Sequence, residues 1–161
     1  MQSKRTRLVE ALRVTAARLR SGARYQWGHY GECNCGHLAQ TLTNLSPGQI
    51  HRLALERDGE WRHQAAAFKG EAERCEVTGQ RLDLVIRRML GAGLSIEDII
   101  HLETLSDPAV LARLPAGRRH LTQNGREDLI LYLETWAAQL EEQLEEQLRE
   151  RQTIARSVGA A

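Results

Sequence analysis

Residues 25–40, YQWGHYGECNCGHLAQ, hold two of the three cysteines, two of the six histidines and three of the seven aromatic residues of the chain. Cys33 and Cys35 form a Cys-x-Cys pair that His29 and His37 flank, and Cys75 is the remaining cysteine. Thiolates and imidazoles bind soft and borderline metals, and three cysteines with one histidine make a standard tetrahedral set. The pattern therefore predicts a metal centre with Cys33, Cys35 and Cys75 as ligands, the first two on a turn. His29 stands in a loop between Gly28 and Gly31, where the backbone is free to aim it, and is placed first as the fourth ligand. His37 is its substitute or a supporting group. Two-apart residues do not share a helix face, so a helix starting at Gly36 would turn His37 away from Cys35. Zinc is the expected ion, and a [2Fe–2S] cluster, which accepts the same donors, is the alternative. The same residues also suit an enzyme using thiolate or metal chemistry, with Cys33 or Cys35 acting beside His29 as base. Tyr25, Trp27 and Tyr30 are expected to wall the site from water.

The rest of the chain bounds what such a site can belong to. A length of 161 residues suffices for one domain with its own core, and 42% hydrophobic with 27% charged residues is ordinary for a soluble globular protein. No apolar run approaches the ~20 residues of a membrane helix. The opening MQSKRTRLVEALRV lacks the apolar stretch of a secretory signal. A cytoplasmic protein without a membrane partner is expected. An odd number of cysteines in a reducing compartment argues for ligands or reactive thiols over a disulfide framework.

Net charge is only +1 but unevenly spread. Residues 1–24 carry seven basic side chains against Glu10 alone, and residues 127–150 carry eight acids against Arg149 alone. A strongly acidic helix in the same small domain would repel a phosphate backbone, so nucleic acid is not the expected partner. Attraction between the two ends, within one molecule or between two, is. No phosphate loop, nucleophile elbow or dinucleotide fingerprint occurs. The single Glu60-x-x-His63 pair falls short of the two that a carboxylate-bridged di-iron bundle needs.

The elements that must position these residues read as helices. Ser3 can cap a first helix carrying Leu8, Leu12 and Leu19 at helical spacing, with Gly22 ending it. A short helix is predicted over LAQTLTNL. Ser46, Pro47 and Gly59 cap, open and terminate the next. GQRLDLVIRRMLGAG places Leu82, Val85, Ile86, Met89 and Leu90 on one face. Ser95 with Asp98 forms a variant capping box, and SDPAVLARLP opens a further helix. From Asn124 as cap, the last helix runs about thirty residues, ~45 Å at 1.5 Å each, in a globule expected to be about 40 Å across. Its end beyond Leu140 either projects or lies on a partner, in which case the chain is a homodimer. The whole is predicted to be all-α: a compact helical domain with a Cys/His-containing loop over residues 1–140, and the extended end of a long C-terminal helix over 141–161.

Tyr25 to Leu38, HLETLSDPAVLARLP at 101–115 and NGREDLILYLETWA at 124–137 resemble small bacterial proteins that share a Tyr-Gln-Trp-Gly-His-x-Gly-x-Cys-Asn-Cys-Gly segment. Those proteins continue with a Cys-Pro-Thr-Ser-Gly turn, where this chain has Cys75 in CEVTG without the proline. The resemblance covers most of the chain and implies no activity. The function expected from the residues is therefore a metal-binding protein with a structural or redox site. A thiolate- or metal-dependent enzyme and a helix-mediated interaction module are the alternatives.

Overall fold

A computed structural model describes residues 2–55, 61, 63–66 and 81–160. Helix α1 spans Lys4–Arg20, α2 Asn34–Thr43, α3 Pro47–Ala54, α4 Arg81–Gly91, α5 Ile96–Thr104, α6 Pro108–Leu111 and α7 Arg126–Gly159, with a 3₁₀ turn at Pro115–Gly117. Among the described residues there is no strand. None of the helices is long and apolar enough to cross a membrane. The all-α architecture with a long C-terminal helix agrees with the expectation from periodicity.

Local chemistry sets most helix starts. The Ser3 hydroxyl accepts from the Thr6 amide. Ser46 with Gln49 and Ser95 with Asp98 close reciprocal capping boxes. Asp107 caps α6 ahead of Pro108. Three boundaries differ from the sequence reading. Helix α3 ends at Ala54, with Leu55 as C-cap, and Gly59 lies outside the described residues. Helix α7 is preceded by Gly125, not capped by Asn124. Its entry is closed by Asp128, which accepts from the Thr122 amide and pairs with Arg118 at 2.8 Å. Helix α2 begins at Asn34, four residues earlier than predicted, so the Cys-x-Cys pair does not sit on a turn.

Helices α1 and α7 form the largest helix pair. Leu8, Leu12, Ala16 and Leu19 are buried on one, and Leu129, Leu133, Ala137 and Leu140 on the other. Arg13–Glu141 and Arg20–Glu134, both at 2.7 Å, tie the rims. The attraction between the basic and acidic ends thus operates within one molecule. These side chains are largely exposed, so Arg13→Ala is expected to lower stability by no more than about 1 kcal/mol in chemical unfolding.

Helix α2 is the hub, packed against α1, α3, α4 and α5. All residues from Asn34 to Ala39 are buried. Cys35, Leu38 and Ala39 have no exposed surface. Burial of a leucine such as Leu38 contributes about 2 kcal/mol. Two of these residues are polar, His37 and, at the start of the helix, Asn34. The Asn34 amide donates to the carbonyls of Glu103 at 2.7 Å and Gln123 at 2.8 Å, and its oxygen accepts from the Tyr25 hydroxyl at 2.7 Å. One side chain therefore joins α5, the entry to α7 and the loop before α2.

Candidate thiol site

The loop from Tyr25 to Cys33 is held by its own backbone. Glu32 bonds with Gln26, and the amides of Glu32 and Cys33 both donate to the His29 carbonyl, at 3.0 and 2.9 Å. Two glycines seat it. A Cβ on Gly31 would lie 2.0 Å from the Pro47 carbonyl oxygen, and one on Gly36 would lie 2.2 Å from that of Tyr30. Two imidazoles fix the middle of the loop. Nδ1 of His51, from α3, accepts from the Tyr30 amide at 3.1 Å, and Nδ1 of His29 accepts from the Gly31 amide at 3.2 Å. The two rings stack with centroids 4.0 Å apart.

Cys33 is the N-cap of α2. Cysteine is not a usual capping residue, and no side-chain cap bond forms. Its sulfur instead faces a carbonyl of the preceding loop. The thiol donates to the Tyr30 carbonyl at 3.6 Å, and the Trp61 indole donates to that same carbonyl at 3.1 Å. Burial pushes the Cys33 thiol up to about 11. The Gly36 and Cys35 amides and the Trp61 indole oppose the rise, and the neighbouring Glu103 adds to it. The sulfur opens onto a cavity of about 210 Å³ lined by Trp27, Gly28, His29, Tyr30, Cys33, Trp61 and Glu103.

The five residues singled out by the sequence fall in different places. Cys33 and His29 share the cavity. Cys35, on the first turn of α2, is fully buried, with its thiol donating to the Ile99 carbonyl at 3.3 Å. Burial raises its pKa well above the ordinary thiol range, and the charges of Cys33 and Glu103 add to that. His37 faces the other side of the helix. Its Nε2 bonds the Arg24 carbonyl at 2.9 Å, and its ring stacks at 6.1 Å on Tyr25. Burial, chiefly, pushes His37 down to about 4, so the ring is neutral. Cys75 lies outside the described residues, as does Glu60 of the Glu60-x-x-His63 pair. Among the described residues, no three His, Cys, Asp or Glu side chains are gathered as a metal site.

Of the aromatic residues expected to wall the site, Trp27 and Tyr30 line the cavity, while Tyr25 belongs to the Asn34 and His37 contacts. Sequence reasoning passed over Glu103, Trp61 and His51. Glu103 carried a signal, being an acid beside Leu102 on a helix face that is otherwise apolar, and it is only 5% exposed. No spacing rule marks the other two. Compared with protein-family models, with characterised proteins and with solved structures, the chain matches none.

Proposed function

We propose that the Cys33 cavity is the working site of a thiol-dependent protein, with Cys33 as nucleophile toward a small electrophile that fits between Trp27 and Trp61. The observation that supports this reading is the placement of one sulfur at the start of a helix, against the Tyr30 carbonyl on one side and a cavity on the other. Helix N-termini stabilise thiolates. At neutral pH the thiol is stored protonated, so attack requires a proton acceptor. The neutral His29 ring is not that acceptor, because its Nδ1 lone pair is taken by the Gly31 amide and its proton is then on Nε2. Glu103 is the carboxylate that lines the cavity. In this reading it takes the thiol proton as the sulfur–carbon bond forms, and the His29 N–H donates to the developing negative charge on the substrate.

Alkylation with iodoacetamide, read by mass spectrometry on the native chain, tests the site. Cys33 is expected to label at least about tenfold faster than Cys35, which has no exposed surface. Glu103→Gln should slow Cys33 labelling at neutral pH, because it removes the carboxylate that takes the thiol proton. Equal labelling of Cys33 and Cys35 would overturn the proposal.

A metal centre is the second reading, supported by the Cys33–Asn34–Cys35 pair standing beside His29 in one short segment. A cation held by Cys33 and Cys35 would keep both thiols deprotonated, with Cys75 and His29 as further donors. Elemental analysis of protein purified without chelator is expected to find about one zinc per chain in this case, lost in Cys33→Ser. A brown, iron-containing preparation would identify the cluster instead, and metal-free protein of unchanged stability would remove both. For α7 we propose that it pairs two copies of the chain into a homodimer, which is supported by Leu148, Ile154 and Val158 standing exposed along its last turns.

A further inference from the structure

The ion pairs Arg20–Glu134 and Arg13–Glu141 show that each seven residues back along α1 are matched by seven forward along α7. On that register Lys4, the first residue of α1, lies opposite about residue 150, and the last turns of α7 have no α1 beside them. The face of α7 that packs on α1 carries Leu133, Ala137, Leu140 and Leu144. It continues at steps of three and four residues through Leu148, Arg151, Ile154 or Ala155, and Val158. Leu148, Ile154 and Val158 are 56%, 62% and 72% exposed. The apolar stripe thus outlasts the helix that covers it. Where α1 begins, a groove of about 580 Å³ opens between the two helices, with Arg5 on one wall and Leu144, Glu145, Leu148 and Arg151 on the other.

Charge along this tail is graded. Residues 141–150 hold five glutamates and Arg149, whereas residues 151–159 hold Arg151 and Arg156 and no acid. Two tails running in the same direction would set acid against acid. Antiparallel tails set the acidic stretch of each, around Glu146, against Arg156 of the other. We infer that the groove is occupied by the α7 tail of a second copy, laid antiparallel about a two-fold axis. Ile154 and Val158 of each copy then cover Leu144 and Leu148 of the other. The two α1 helices flank the crossing tails, which gives the four-helix arrangement that buries such stripes. This rests on the pairing proposed for α7, and fixes its direction and surface.

Sedimentation equilibrium of the full chain tests both. A monomer–dimer equilibrium is expected. Its Kd should weaken by about tenfold as salt rises from about 0.1 M to about 1 M, because the screening length falls from about 10 Å to about 3 Å. The double variant Ile154→Glu, Val158→Glu should be monomeric with its helical circular dichroism retained. A dimer whose Kd is unchanged or tightened by salt overturns the antiparallel arrangement while leaving the pairing. A full-length chain that stays monomeric up to millimolar concentration overturns both.

Discussion

Gly31→Ala is expected to lower stability by about 3 kcal/mol or more, and the melting temperature by roughly 6–12 °C. The added Cβ would fall 2.0 Å from the Pro47 carbonyl oxygen and 2.6 Å from its Cα and carbonyl carbon. These are backbone atoms at the first residue of α3, so relief requires moving the helix or the loop. Either movement disturbs the Tyr30 amide bond to His51 and the Tyr30 carbonyl that holds the Trp61 indole. Gly36→Ala should behave alike, since its Cβ would meet the Tyr30 oxygen at 2.2 Å. Gly48→Ala is the control. It lies inside α3 with nothing within 4 Å of the added methyl, and should stabilise by about 0.5 kcal/mol through lost freedom of the unfolded chain. Thermal unfolding followed by circular dichroism decides. Gly31→Ala melting as high as Gly48→Ala would show that the loop is not seated on α3.

These glycines mark the border of what the sequence discloses. Ser3, Ser46, Ser95 and Asp107 announce their helices because capping is a bond between a side chain and an amide two or three residues on. The stripe of α1 is legible for the same reason, since one helix face is periodic in sequence. The start of α2 is not, because Cys33 caps without a side-chain bond and the helix is held by what surrounds it. The chemistry of residues 25–40 is visible as composition, and Cys33 with His29 does reach one cavity. What completes that cavity comes from afar: Trp61 and Glu103 lie 28 and 70 positions beyond Cys33. Which way Cys35 and His37 face follows from α2 being buried on every side, a property of the packed fold that no spacing encodes.

Asn34 supplies the second large effect. Its side chain is wholly buried, and its two N–H donors and one acceptor are matched to the carbonyls of Glu103 and Gln123 and the hydroxyl of Tyr25. Asn34→Ala leaves two carbonyls and a hydroxyl short of a partner in a dry site. A cost of about 1–3 kcal/mol per stranded group applies, and Tyr25, which also reaches the Gln123 carbonyl at 3.3 Å, recovers part of it. A loss of about 3 kcal/mol, or roughly 6–12 °C in melting temperature, is expected. Asn34→Asp should be worse than alanine although it is closer in shape. It keeps the acceptor for Tyr25 but turns a carboxylate toward two carbonyl oxygens, and adds negative charge beside a thiol already disfavoured as thiolate. The ranking parent, alanine, aspartate in thermal stability is therefore set by donors and charge, not by volume. Labelling of Cys33 should slow in the alanine variant, because α5, which carries the proton acceptor Glu103, is no longer tied to the first residue of α2. An aspartate variant as stable as the parent would show that the Asn34 amide does not join these segments.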